Sequence, residues 1–131
     1  MAIRNSLKMT SVSSTPLKVK LLTSMAKSGF LSKEEVFACI EASGLMKNVR
    51  IRGLMTVGPV DCNPAQKDEL TDEAFKALVA LRGECEKRFP DVDFGILSMG
   101  MSGDYMIGVA NGSTEVRIGT AIFGPRDYGQ K

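Results

Sequence analysis

Apolar residues along this chain alternate between two periods, and that alternation restricts the possible folds more than any other feature. Leu17-Lys18-Val19-Lys20-Leu21-Leu22 follows Pro16 with apolar residues set against Lys, the two-residue period of a half-buried strand. Ser32 stands three residues before Glu35, the spacing of a capping box. Val36, Phe37, Ile40 and Leu45 then form an apolar stripe ending near Gly44, which predicts a short amphipathic helix. Residues 49–57 read as a second strand, closed by Gly58-Pro59 and a polar loop through about residue 70.

Thr71 is predicted to cap the next helix, with Asp72 and Glu73 in the first turn, where the helix dipole favours acids. Phe75, Leu78, Val79, Cys85 and Phe89 recur at helical spacing, and Lys87 and Arg88 fall in the last turn. Residues 92–98 are a third strand, 102–110 a short helix stopped by Asn111-Gly112, and 114–118 a fourth strand. Strictly alternating strands and helices predict an α/β fold of right-handed βαβ units with a parallel sheet. The loops at the strand C-terminal ends are then available for a ligand. No internal repeat is present.

The 131 residues predict one domain, able to bury about two-thirds of the surface of its unfolded chain. A net charge of +2 from 17 basic and 15 acidic residues is too balanced for a nucleic-acid-binding surface. No apolar run approaches the ~18 residues of a membrane span. Cys39, Cys62 and Cys85 are odd in number and lack a Cys-x-x-Cys pair, so they predict reduced thiols rather than a disulfide framework or a zinc ribbon. With no histidine in the chain, His-dependent triads, His-ligated metals and imidazole acid/base chemistry are all excluded.

Charge is segregated at one end only. Residues 1–33 hold Arg4, Lys8, Lys18, Lys20, Lys27 and Lys33 and no acid, and residues 5–15 are rich in Ser and Thr. Residues 1–15 are therefore read as a disordered basic tail or an organelle transit segment, with a cytoplasmic location as the default and a mitochondrial one as the alternative.

Two segments carry the chemistry. In Leu97-Ser98-Met99-Gly100-Met101-Ser102-Gly103-Asp104 a strand ends, glycines allow close backbone approach, and Ser102 offers a hydroxyl either to an anion or as the cap of its own helix. The segment Val116-Arg117-Ile118-Gly119-Thr120-Ala121-Ile122-Phe123-Gly124 repeats the arrangement one strand later, with Gly119 and Thr120 presenting amides and a hydroxyl. Neighbouring strands lie about 4.8 Å apart, so both segments are able to converge on one phosphate. Arg117 alternates with Val116 and Ile118 and so faces the other side of the strand; if that side is interior, the guanidinium needs a partner.

These segments, with Lys27-Ser28-Gly29-Phe30, Gly53-Leu54-Met55-Thr56, Gly112-Ser113-Thr114, Arg126 and Tyr128, resemble the pyridoxal phosphate homeostasis proteins, single-domain relatives of the alanine racemase N-terminal barrel. The resemblance runs from about Pro16 to the C-terminus and matches only the family's C-terminal part. It implies that residues 16–131 form about half of a TIM-type β/α barrel, and that the ligand is pyridoxal 5′-phosphate. Ser102, Gly119 and Thr120 would hold the cofactor phosphate, Ser98 would assist, and Arg117 would face the pyridine nitrogen. An arginine there weakens the cofactor as an electron sink, which implies a non-enzymatic role in vitamin B6 homeostasis. The alternatives are a racemase-like enzyme and a truncated product that binds nothing.

The lysine to which the family attaches its cofactor lies in the unmatched half. Lys27 is the lysine placed nearest the strand ends here, as a solvated loop residue. Open barrel edges imply self-association.

Overall fold

The computed structural model describes residues 3–4, 16–23, 29–30, 32–59, 62–127 and 129, and for residues 3–4 and 16–23 the backbone alone. The remainder of the basic N-terminal segment, Lys27 and Tyr128 lie outside the described residues. Strands β1 (Ile3–Arg4), β2 (Pro16–Thr23), β3 (Arg50–Val57), β4 (Ile96–Met101) and β5 (Glu115–Arg117) form one open sheet in the order β1-β2-β3-β4-β5. β1 pairs antiparallel with β2, and the other three pairings are parallel. Helices α1 (Lys33–Ser43), α2 (Lys67–Arg88) and α3 (Tyr105–Ala110) are the crossovers, and α4 (Thr120–Phe123) follows β5. Parallel strands in sequential order with helical crossovers make an arc of a β/α barrel, the fold class expected from the sequence. Ile3 and Arg4, expected in a tail, are instead the edge strand of this sheet.

One apolar cluster joins the helices to the sheet. Val36 and Ile40 from α1 and Phe75, Leu78, Leu81 and Cys85 from α2 pack against Ile51, Leu54, Leu97 and Met99. Ser32 caps α1 as predicted, its Oγ accepting from the Glu35 amide at 3.3 Å. Leu45, assigned to the apolar stripe, lies past the end of α1 and is 90% exposed.

The second helix begins earlier than predicted. Asn63 accepts from the Ala65 amide through Oδ1 at 3.1 Å, Pro64 opens a 3₁₀ turn, and this turn runs directly into α2 at Lys67. Thr71 therefore caps nothing; it is 1% exposed inside α2 and its Oγ1 has no hydrogen-bond partner. β4 begins later than predicted because Asp93 is spent on a turn. Its Oδ1 accepts from Gly95 N at 2.9 Å and its Oδ2 pairs with Arg52 at 2.9 Å.

Candidate functional site

The register between β4 and β5 slips just before the two predicted loops. Ser98 pairs with Glu115 and Met101 with Arg117, so three steps along β4 match two along β5. The slip lies between Ser98 and Met101, a stretch that includes Gly100, whose φ of +109° suits glycine; a Cβ there would also stand 3.0 Å from Tyr105 Cα. The bulge ends β4 with Ser102 turned toward the chain beyond β5.

Residues 111–114 fix that register. Thr114 N donates to Leu97 O at 3.0 Å, and Leu97 N donates to Thr114 Oγ1 at 2.7 Å. The Ser113 hydroxyl lies 2.7 Å from Met99 O and 2.8 Å from Glu115 O, so its single hydrogen serves carbonyls on both strands. Asn111 Nδ2 donates to Asp72 Oδ1 at 2.8 Å and ties the end of α3 to α2. Within the Gly112-Ser113-Thr114 motif, this stapling role of Ser113 and Thr114 was not foreseen from the sequence.

Ser102 does not cap α3, whose N-cap position Asp104 holds. The Ser102 Oγ instead accepts from the amides of Gly119 at 3.2 Å and Ala121 at 3.1 Å. Two amides thus converge on one oxygen, and the hydroxyl hydrogen remains free to donate outward. Thr120 lies between them in sequence and is exposed, and no atom stands within 4 Å of a Cβ placed on Gly119. The structure therefore brings Ser102 against the backbone of Gly119 and Ala121, the residues on either side of Thr120.

Arg117 spans from β5 to β3, where its Nη2 donates to Thr56 O at 2.7 Å. Its Nε is buried and has no partner, and neither has the Oγ of Ser98, which is 0% exposed. Burial pushes the Arg117 pKa below its ordinary value, while the charges of Asp104 and then Glu115 act to raise it. Arg117 and Ser98 thus leave a buried donor and a buried hydroxyl on β5 and β4, groups that cost free energy unless a partner arrives.

Of the thiols, Cys39 and Cys85 lie on α1 and α2, while Cys62 lies in the loop beyond β3 with its Sγ 3.9 Å from Pro59 O. Lys33 pairs with Glu84 and Lys76 with Asp72, both on helices, and Lys47 lines a groove at the other end of the strands. Burial, followed by Glu84 and Glu86, pushes the Cys85 thiol up to about 11, and burial raises Cys39 as well.

A parallel β/α arc with polar loops gathered beyond its strand ends defines a barrel-type protein. The family profile for the alanine racemase N-terminal domain matches residues 5–127, and the chain belongs to that family. It is 42% identical over 105 residues to a pyridoxal phosphate homeostasis protein of Vibrio alginolyticus, covering 79% of this chain and 41% of the relative. To the human pyridoxal phosphate homeostasis protein it is 37% identical over 124 residues, covering 89% of this chain and 44% of the relative. Among solved structures, PipY of Synechococcus elongatus PCC7942 with pyridoxal phosphate bound superposes with a TM-score of 0.71 at 28% identity, over 86% of this chain and 50% of PipY. The chain spans half or less of the length of each of these relatives.

Proposed function

We propose that this chain binds pyridoxal 5′-phosphate beyond the C-terminal ends of β4 and β5 and serves vitamin B6 homeostasis without catalysing a reaction. The observation that carries this reading is the Ser102 oxygen accepting from both Gly119 N and Ala121 N, which closes two loops into one cradle. A phosphate oxygen would take the same two amide hydrogens, with the Ser102 and Thr120 hydroxyls adding donors around it. The unpartnered Ser98 Oγ and Arg117 Nε fit a ligand that extends from the cradle toward the sheet.

When bound, this cofactor supplies an electron sink for amine chemistry. Arg117, a permanent cation with donors only, would meet the ring nitrogen as an acceptor and so keep it unprotonated. The absence of histidine removes imidazole acid/base chemistry, which favours binding over turnover. Three free thiols suit the reducing cytoplasm proposed for it, and among the described residues no helix is long and apolar enough to cross a membrane.

Titration of the purified protein with pyridoxal phosphate, followed by absorption spectroscopy and equilibrium dialysis, tests the reading. Saturable binding that Arg117→Ala and Thr120→Ala weaken is the expected result. Saturable binding that both variants leave untouched would place the ligand elsewhere, and no binding at all would end the proposal.

A further inference from the structure

The carboxylate of Asp104 lies outside the phosphate cradle yet touches the elements that shape it. Its Oδ1 accepts from Met101 N at 2.6 Å while its own amide donates to Met101 O at 3.1 Å, so residues 101–104 form a closed turn with Ser102 inside. Its Oδ2 is turned toward the end of β3. A methyl group on Gly58 would stand 2.8 Å from Asp104 Oδ2 and 3.1 Å from Thr71 Oγ1, so the missing side chain at Gly58 leaves room for both groups. Two residues before Gly58, the Thr56 carbonyl accepts from Arg117 Nη2 at 2.7 Å. Carboxylate and guanidinium therefore both reach the end of β3, two residues apart.

A negative charge beside a site for a dianion is unfavourable in itself, since like charges repel. Its presence calls for an opposing gain, and Arg117 is the cation on which the Asp104 charge acts. We infer that Asp104 is a positioning residue that sets the turn carrying Ser102 and, by placing its charge at the end of β3 where Thr56 O holds Arg117, favours the guanidinium placement that meets the ligand ring. This inference rests on the pyridoxal phosphate reading above and adds a residue to it.

The test uses wild type, Asp104→Asn, Arg117→Gln and the double variant, each titrated with pyridoxal phosphate and, separately, with inorganic phosphate. Asparagine keeps an oxygen for the Met101 amide and removes only the charge. Affinity for pyridoxal phosphate is expected to fall about tenfold in Asp104→Asn. Affinity for inorganic phosphate, which has no ring for Arg117 to meet, does not fall. In the Arg117→Gln background the same change moves pyridoxal phosphate affinity by less than about twofold, because the partner of the carboxylate is already gone.

Equal pyridoxal phosphate affinity in wild type and Asp104→Asn would overturn the inference alone. An equal loss in both backgrounds would also overturn it, reducing Asp104 to a loop staple. Wild type that bound neither ligand would instead overturn the proposed function, and the inference with it. If Asp104→Asn loses its cooperative melting transition, Gly58→Ala takes its place, since it crowds Oδ2 and leaves every charge intact. A shifted absorption band of the bound cofactor, seen only with Arg117 present, is then expected, and an unshifted band would overturn the inference.

Discussion

The Ser102 hydroxyl oxygen lies 3.2 Å from the Gly119 amide nitrogen, so a side chain from the loop after β4 holds the backbone of the loop after β5. Ser102→Ala removes the acceptor for Gly119 N and Ala121 N together. Both loops are partly open to water, which replaces the lost oxygen, so the expected cost in folding stability is only about 0.5–1.5 kcal/mol. Amide hydrogen exchange at Gly119 and Ala121 should accelerate while that of β3 and β4 does not. Unchanged exchange would mean that the two loops hold together without this contact.

Arg117→Ala is expected to cost more. It strips the Thr56 carbonyl of its donor at a position where Thr56 is 1% exposed, and a buried acceptor left alone costs about 1–3 kcal/mol. Denaturant unfolding should show a lower midpoint with a similar slope, and Arg117→Lys should recover only part of the loss because a lysine ammonium lacks the planar fork.

Gly100→Ala tests the bulge. With φ at +109° and Tyr105 Cα 3.0 Å from the added methyl, the variant has both a strained backbone and a collision to relieve. A loss of about 1–3 kcal/mol from the conformation alone is expected, with thermal unfolding as the measure. Gly112, whose φ is also positive at +85° but with no atom within 4 Å of its added Cβ, should lose less on the same substitution.

Cys85 makes stability depend on alkaline pH. Its folded-state pKa is raised by burial, then by Glu84 and Glu86, from the ordinary 9.0 to about 11, so the folded protein holds this proton more tightly than the unfolded chain. The contribution is fully present below pH 9.0 and is lost as pH rises toward about 11, where the unfolded thiol is already ionised. Cys85→Ala should flatten that part of the stability profile. In the native protein at neutral pH, Cys85 should resist alkylation until the chain unfolds.

β5 is an edge strand of three residues, and beyond it Ile122 is 67% and Phe123 84% exposed. An unpaired edge beside uncovered apolar side chains favours pairing with a second copy of the chain. Sedimentation velocity across a range of concentrations should show a monomer–dimer equilibrium that Phe123→Lys shifts toward monomer. A monomer at every concentration would refute it.

Much of the fold was legible because the signals were local. Period-two alternation marked β2, Ser32 with Glu35 marked the start of α1, and glycines with hydroxyls marked both loops. The misplaced boundaries share one cause: competing polar residues whose roles depended on distant partners. Thr71 reads as a cap only until Asn63-Pro64 starts the helix upstream and turns Thr71 inward. Residues 92–95 look like strand, yet Asp93 spends one oxygen on Gly95 N and the other on Arg52, which is 41 residues away.

The sequence by itself determined the parallel α/β arrangement, the excluded chemistries and the polar residues at the strand ends, because periodicity and residue type are properties of neighbours along the chain. The tertiary structure alone decided what those residues touch. Ser102 reaches Gly119 across 17 positions, Arg117 reaches Thr56 across 61, and a slipped register between Ser98 and Met101 sets the aim of the loop that carries Ser102. Contacts of that range depend on how the strands pair and where the bulge falls, and no local pattern encodes them.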